Sequence, residues 1–272
     1  MTSARLTAVV LAAGRGRRLR DSDGSHLATD AQRHAARDGL KVLMPVGADG
    51  GRPLLDFVLH ALAEAGVTDV VLVVPPEHAS IDRWLAALAP TRVRVELAVQ
   101  ATPSGTAPAV ASGAARVTTA RFLVVNGDNV YPVAAIRALA ALDTCGLAAF
   151  TRASLERESG FTASRVAAFA VVQRDAAGRL TGLREKPPVE SLAHDALLSL
   201  NLWWMDQAMA AACRDVEPSV RGERELPDAV MLAVARGTPV RVIEAGGAVL
   251  DLTTAGDVAA VSRALAGVEP RP

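Results

Sequence analysis

The sequence contains few cysteines, aromatic residues and long apolar runs. Its 272 residues include two Cys, three Trp, one Tyr and five Phe. Two widely separated cysteines, Cys145 and Cys213, form neither a disulfide framework nor a zinc site. So few aromatic side chains do not provide the stacking surface that binds single-stranded nucleic acid. Apolar runs such as 70–74 are much shorter than the ~20 residues that cross a bilayer.

The charges of the chain cancel. Its 29 basic and 29 acidic residues give a formal net charge of zero, so no general attraction draws it to nucleic acid or to an anionic membrane. Half the residues are hydrophobic and 21% are charged, which is typical of a globular protein. The first residues do not resemble a secretion signal. We therefore expect a cytoplasmic protein that binds neither nucleic acid nor membranes.

Lysine is the rarest of the charged residues. Only Lys41 and Lys186 are lysines, and the other 27 of the 29 basic residues (29 less two) are arginines. An ammonium group is a compact point charge that suits a phosphate, whereas a guanidinium is a planar fork. Both lysines are therefore candidates for phosphate binding.

Short apolar strands alternate with amphipathic helices through the first half of the chain. The predicted strands are 6–11, 69–74, 93–99 and 121–126, and the predicted helices are 53–65, 81–89 and 107–116. Continuous apolar strands joined by helices indicate a parallel sheet covered on both faces. We therefore predict that residues 1–150 form a Rossmann-like, doubly wound α/β half.

The second half has a different pattern. Strands without long crossovers are predicted at 166–173, 180–185 and 197–205, followed by a helix at 226–236, a strand at 240–244 and a helix at 255–266. No linker, repeat or low-complexity tract separates the halves. The sequence thus predicts a single α/β domain over 1–272, in which 151–272 form a mixed-sheet lobe and C-terminal helices.

Residues 21–39 interrupt the alternation. They are polar, have no strong period and include His26 and His34. Two interpretations stay open, a solvated surface insertion and a lid over the neighbouring site. We expect both histidines to be exposed and not to bind a metal.

A glycine turn follows the first strand. Gly14 and Gly16 allow successive backbone N–H groups to approach phosphate oxygens, and the arginines between and after them add positive charge. The dinucleotide fingerprint requires a third glycine where Leu19 stands and an acidic residue where Pro75 and Pro76 stand. The turn therefore predicts phosphate binding and disfavours a nicotinamide-dependent oxidoreductase.

Several motifs occur in one order along the chain. They are LAAGRGRRLR (11–20), KVLMPV (41–46) with PLLDFVLHAL (53–62), Gln100 with SGTA (104–107), VVNGD (124–128), EKP (185–187), Asn201 and LDLTTAGD (250–257). In this order they resemble the motifs of sugar-1-phosphate nucleotidyltransferases, or nucleotide-sugar pyrophosphorylases. The resemblance covers residues 6 to about 263.

The resemblance implies a reaction and a set of site residues. A sugar phosphate oxygen attacks the α-phosphorus of a nucleoside triphosphate in line and expels pyrophosphate, which requires cations and alignment but no side-chain nucleophile. The catalytic residues implied are Arg18, Lys41 and Asp128. Asp128 and Asp251 are the implied ligands of Mg²⁺. Those implied for the nucleotide are Leu11, Ala12, Ala13, Gly14, Arg15, Gly16, Gln100, Ser104, Gly105 and Thr106. The sugar phosphate is implied to bind Glu185, Lys186 and Asn201.

The motifs indicate the substrates less closely than they indicate the reaction. The 104–107 stretch resembles relatives that use dTTP, GTP or ATP more than those that use UTP, which favours a donor of the dTTP or GTP type; the expected acceptor is a hexose 1-phosphate. A homodimer stays open. Two alternatives also remain, a nucleotidyltransferase for a non-sugar phosphate and a non-catalytic subunit that binds nucleotide sugars.

Two residues depart from the family pattern. Leu40 precedes Lys41 where the family usually has proline, and the insertion lengthens the spacing from Arg18. Trp203 stands where a small residue often lines the sugar pocket. We expect Trp203 and Trp204 to alternate between core and surface, or Trp203 to reshape the pocket.

Overall fold

Helices and strands alternate along most of the chain in the computed structural model, which describes residues 5–48, 51–185, 188–220 and 222–272. The strands are β1 (Thr7–Leu11), β2 (Pro45–Val46), β3 (Arg52–Pro53), β4 (Asp69–Val74), β5 (Arg94–Val99), β6 (Arg121–Asn126), β7 (Asn129–Val130), β8 (Cys145–Thr151), β9 (Ala170–Arg174), β10 (Leu180–Arg184), β11 (Leu197–Asp206), β12 (Val240–Ala245) and β13 (Leu250–Asp251). The helices are α1 (Arg17–Arg20), α2 (Asp30–Arg37), α3 (Leu54–Glu64), α4 (Ala79–Leu88), α5 (Thr106–Ala114), α6 (Val133–Ala140), α7 (Arg152–Glu158), α8 (Ala163–Val166), α9 (Gln207–Asp215), α10 (Leu226–Ala235) and α11 (Val258–Leu265).

The described residues form one nine-stranded sheet that runs through both halves of the chain. Its order is β10-β9-β11-β6-β1-β4-β5, and β8 pairs with β11 and with β12. Strands β6, β1, β4 and β5 are parallel, whereas β11 is antiparallel to β6, β8 and β9. The chain order reverses direction across the sheet between β1 and β6, which is where open α/β sheets bind ligands. The predicted α/β fold class is confirmed.

Helices cover both faces of the sheet. Residues such as Leu59 of α3, Trp84 of α4 and Ile136 of α6 pack against one face, and helices α5, α9 and α10 pack against the other. The central strands β1, β4, β6 and β8 are nearly continuous apolar runs, as expected for strands that are buried on both sides. No helix of the described ranges is long and apolar enough to cross a membrane.

One predicted strand is partly wrong. Residues 166–173 were expected to be extended, but α8 ends at Val166 and β9 begins only at Ala170. The Thr162 side chain accepts a hydrogen bond from the Arg165 N–H at 3.3 Å and so caps this short helix. An apolar run alone does not reveal that a side-chain cap starts a helix at these residues.

The insertion 21–39 is folded and packed. The Thr29 side chain and Gln32 form a capping box at the start of α2, and the Gln32 amide donates to the Pro45 carbonyl at 2.9 Å. Leu27 and two alanines of α2 contribute to a small third core with residues of α11. The insertion is therefore more than a solvated surface segment, although His26 and His34 are exposed as predicted.

The prediction for the two tryptophans of β11 is wrong. Trp203 is fully buried and Trp204 is 7% exposed, so the strand has no surface face here. The two indoles pack on opposite faces of the sheet, because each face of β11 is covered. Strand β11 is central, and the alternation of a half-exposed strand does not apply to it.

Both thiols are buried, and we expect them to be unreactive in the folded protein. Burial raises the pKa of Cys145 and of Cys213 to about 12. At pH 8 only about one thiol in ten thousand would be ionised, and the thiolate is the reactive form. Ellman's reagent should therefore detect no thiol in the native protein and both in 6 M guanidinium chloride. Rapid labelling of either thiol under native conditions would contradict this prediction.

Candidate active site

A cavity of about 590 Å³ opens where strands β1, β5 and β6 end. Most of the predicted site residues line it. They are Leu11, Ala12, Ala13, Gly14, Arg15, Gly16, Arg18, Lys41, Gln100, Gly105, Thr106, Asp128 and Asn201. A smaller cavity of about 280 Å³ adjoins it and shares the glycine turn, Lys41 and Gln100. The structure thus brings together residues that are far apart in the sequence.

The glycine turn is held by close backbone contacts. β1 ends at Leu11, whose carbonyl accepts from the Gly127 N–H at 2.9 Å, and the Ala12 N–H donates to the Val73 carbonyl at 2.8 Å. Gly16 has a left-handed backbone with φ 59°, and a Cβ there would lie 2.5 Å from the Gly39 carbonyl oxygen. The end of the insertion therefore packs directly on the turn.

Lys41 follows this contact immediately. Its N–H donates to the Gly39 carbonyl at 2.9 Å, and its ammonium group forms an ion pair with the Asp128 carboxylate. The two side chains are only 15% and 21% exposed. The longer spacing before Lys41 therefore does not displace it from the cavity, because the insertion folds back onto the glycine turn.

Asp128 and Asp251 become neighbours through two very short strands. β7 and β13 pair antiparallel with Asp251 opposite Asn129, and the Leu252 N–H donates to the Asp128 carbonyl at 3.1 Å. Asp251 is 8% exposed. Burial, and then the negative charge of Asp128, raise the pKa of Asp251, while the charges of Arg165 and Lys41 oppose this shift.

Arg165 is a residue that the sequence analysis missed. It forms an ion pair with Asp251 (Nη2 to Oδ2, 3.0 Å) and another with Asp257 (Nη1 to Oδ1, 3.3 Å). Burial alone would raise the pKa of Asp257, but the Thr254 N–H and the charge of Arg165 outweigh burial and lower it. Arg165 belongs to none of the recognised motifs, and its neighbours in space are about 90 residues away in sequence. No signal in the sequence could have identified it.

Hydrogen bonds hold the segment 100–106 against the chain at the start of α10. The Gln100 side chain is buried, and its amide donates to the Gly105 carbonyl at 2.9 Å. A Cβ on Gly105 would lie 2.2 Å from the Arg224 carbonyl oxygen, so the Arg224 backbone fills the space that glycine leaves. Ser104 is outside the cavity lining, and its carbonyl accepts from the Arg224 N–H at 2.9 Å.

Thr106 anchors the same contact. Its hydroxyl accepts from the Leu226 N–H at 2.9 Å at the start of α10. Glu223, just before this contact, also lines the cavity, although the sequence analysis did not single it out. The 100–106 segment and the start of α10 therefore form one wall of the site.

Asn201 lies where β11 changes partners. Ser199 pairs with β9 and Trp203 pairs with β6, and the register shifts between them. Asn201 has a left-handed backbone with φ 62°, and its Oδ1 accepts from the Trp203 indole at 3.2 Å. Asparagine tolerates this conformation better than most residues. Trp203 does not line the cavity, so its indole contacts Asn201 from the interior of the protein.

The two other residues implied for the sugar phosphate are Glu185 and Lys186. Glu185 directly follows β10, is exposed and does not line the cavity. Lys186 lies outside the described residues. Of the two implied sugar-phosphate residues that the structure describes, Asn201 lines the cavity and Glu185 does not.

Residues 7–265 match the family model described as nucleotidyl transferase, and the chain belongs to this family. The predicted enzyme class is thereby confirmed. A glucose-1-phosphate thymidylyltransferase of Streptomyces antibioticus is 29% identical over 269 residues, which are 98% of this chain and 68% of that protein. A second thymidylyltransferase of the same name, from Actinoplanes, is 28% identical over 80% of this chain and 68% of its own length.

A solved structure has the same fold. The crystal structure of a UDP-glucose pyrophosphorylase complexed with UDP-glucose superposes with a TM-score of 0.72, and the match covers 96% of this chain and 98% of that one. The sequences are 15% identical, so this similarity concerns the fold.

We expect Gly16→Ala to destabilise the protein much more than Gly14→Ala. Alanine at 16 would be forced into a left-handed backbone and against the Gly39 carbonyl, whereas a Cβ at Gly14 meets nothing within 4 Å. The left-handed conformation and the overpacking should lower the free energy of unfolding by about 2–4 kcal/mol. Urea denaturation of both variants measures the difference. Equal stability of the two variants would show that the Gly16–Gly39 contact is not tight.

Proposed function

We propose that this protein transfers a nucleoside monophosphate from a nucleoside triphosphate to a sugar 1-phosphate and releases pyrophosphate. One observation carries the proposal: Lys41 and Asp128 line one cavity with the glycine turn at the switch point of the sheet, and the pairing of β13 with β7 places Asp251 beside Asp128. The names of the relatives support a sugar phosphate as acceptor. The same names favour dTTP as donor and glucose 1-phosphate as acceptor.

The chemistry requires positive charge and alignment. The sugar phosphate is already an anion, so it attacks the α-phosphorus without a general base, and the charge passes to the leaving pyrophosphate. The backbone N–H groups of 14–16, with Arg15 and Arg18, hold the triphosphate. Lys41 neutralises the charge that develops between the α-phosphate and the leaving group. Its partner Asp128 fixes the ammonium until substrate arrives.

The carboxylates near Lys41 fit a divalent cation. Asp128, Asp251 and Asp257 carry three negative charges, and Lys41 and Arg165 carry two positive ones, so the cluster has one net negative charge. Among the described residues, no three His, Cys, Asp or Glu side chains are placed so that they could hold a metal ion together. Substrate phosphates usually complete an Mg²⁺ site of this kind. Asp128 and Asp251 would hold the ion, which neutralises phosphate charge when bound.

The nucleotide and the sugar occupy different walls of the cavity. The base lies against Gln100, Gly105 and Thr106, and the sugar lies toward Asn201. An indole N–H is only a donor, so the Asn201 atom that faces Trp203 must be the oxygen. The amide nitrogen of Asn201 therefore presents two donors, and the described residues accept from neither. A sugar hydroxyl or phosphate oxygen is the acceptor that suits it.

We expect magnesium-dependent pyrophosphate release with one donor and one acceptor, and loss of it in Asp128→Asn and Lys41→Met. Removing charge stabilisation at the reacting phosphate typically costs roughly 100-fold or more in kcat. A grid of five nucleoside triphosphates and several sugar 1-phosphates identifies the substrates. Asp215→Asn is the matched control, because it removes an aspartate that is paired with Arg236 on the surface.

Other outcomes of this grid separate the alternatives. Nucleotide binding without turnover of any sugar phosphate would instead favour a non-sugar acceptor or a non-catalytic subunit. Absence of both binding and turnover would contradict the proposed function.

We expect Trp203→Phe to weaken sugar phosphate binding specifically. The loss of one hydrogen bond frees the Asn201 amide to rotate, which should raise the KM for the sugar 1-phosphate about three- to tenfold and leave that for the nucleotide unchanged. Trp204→Phe is the control, because its indole donates to the Leu142 carbonyl at 3.1 Å on the opposite face of β11. Equal KM values in the two variants would show that Trp203 does not orient Asn201.

A further inference from the structure

Arg165 forms ion pairs with two carboxylates, those of Asp251 and Asp257. Its Nη2 lies 3.0 Å from Asp251 Oδ2, and its Nη1 lies 3.3 Å from both oxygens of Asp257. Nη2 also donates to the Asp251 carbonyl at 3.3 Å, and the guanidinium carbon lies 5.5 Å from the centre of the Phe161 ring. The side chain is only 19% exposed. Contacts on several sides leave this guanidinium little freedom to move.

The second of these carboxylates is itself fixed. Asp257 Oδ2 accepts from the Thr253 N–H at 2.9 Å, from the Thr254 N–H at 2.6 Å and from the Thr254 hydroxyl at 3.0 Å. These bonds hold the turn between β13 and α11. Asp257 therefore serves as a rigid support from which Arg165 reaches Asp251.

Asp251 in turn has both of its oxygens engaged. Oδ2 pairs with Arg165, and Oδ1 accepts from the Thr253 hydroxyl at 3.1 Å. Its backbone is held opposite Asn129 by the pairing of β13 with β7. The carboxylate thus has one defined orientation beside Asp128, and Arg165 is the only cation among the described residues that forms an ion pair with it.

We propose that Arg165 is a positioning residue for the metal site and holds the Asp251 carboxylate in the orientation in which it shares a divalent cation with Asp128. This inference rests on the proposed function, which assigns the two aspartates to the metal. Arg165 does not line either cavity, so it acts through Asp251. Groups that support metal ligands in this way typically change metal affinity by about 10–100-fold when they are removed.

The test measures the binding of Mn²⁺ to the free protein by the electron paramagnetic resonance signal of the unbound ion. We expect Arg165→Met to bind Mn²⁺ at least tenfold more weakly than the unchanged protein. Methionine keeps an unbranched apolar side chain and removes the guanidinium group that pairs with Asp251. Arg165→Lys should recover part of the affinity, because it keeps one charge near Asp251. In turnover, Arg165→Met should raise the Mg²⁺ concentration needed for half-maximal rate by a similar factor.

Arg152→Met is the matched control for the loss of a buried arginine. The Arg152 side chain is 17% exposed, bonds to Glu156 at 2.8 Å and donates to the Leu192 carbonyl at 2.6 Å. It should show a comparable loss of stability and unchanged Mn²⁺ affinity. An effect of similar size on Mn²⁺ binding in both arginine variants would mean that Arg165 acts only on folding, and would overturn the inference.

Asp251→Asn separates this inference from the proposed function. Weak Mn²⁺ binding in Asp251→Asn with normal binding in a folded Arg165→Met or Arg165→Lys would overturn the role of Arg165 alone. Unchanged binding in Asp251→Asn would overturn the metal assignment and the inference together. Weak binding in both Asp251→Asn and Arg165→Met, with normal binding in Arg152→Met, is the result that we expect.

Discussion

The pairing of two strands of two residues each, β7 and β13, brings a second carboxylate next to Asp128, and the rest of the site is arranged around that contact. Two buried or half-buried aspartates side by side repel each other and lose hydration. Lys41 and Arg165 offset this cost, because Lys41 pairs with Asp128 and Arg165 pairs with Asp251. The four charged groups come from four separate segments of the chain, so the site forms only when the whole sheet is assembled.

The insertion contacts three segments of the candidate site, which are the glycine turn, Lys41 and the turn before α11. Gly39 at its end packs on Gly16 of the glycine turn, and Lys41 follows directly. At its beginning, the Ser22 hydroxyl accepts from the Ala255 N–H at 2.9 Å, close to the turn that supports Arg165. The third core lies between the insertion and α11. This packing favours an insertion that stabilises the site over one that closes on it as a lid.

The change of partner along β11 places Asn201 in the lining of the cavity. One strand pairs first with β9 and then with β6, and the residue at the change of partner is Asn201 in a left-handed conformation. Left-handed backbone is uncommon for residues other than glycine and often accompanies a functional constraint. The indole of the fully buried Trp203 donates to the Asn201 side-chain oxygen. A bulky residue where relatives often have a small one therefore sits behind the site and leaves the cavity open.

Strands β1, β4, β5 and β6, helices α3, α4 and α5, the family and most of the cavity lining could be predicted from the sequence, because they depend on local periodicity and on motifs of adjacent residues. The prediction missed the capping box of α2 and placed the strand near 166–173 too early, since a single side-chain cap decides such boundaries. Burial of both tryptophans followed from the central place of β11 in the sheet, which no local pattern encodes. The contacts of Arg165 with Asp251 and Asp257 could not be predicted, because ion pairs between residues about 90 positions apart depend on how β7 and β13 pair in the completed fold.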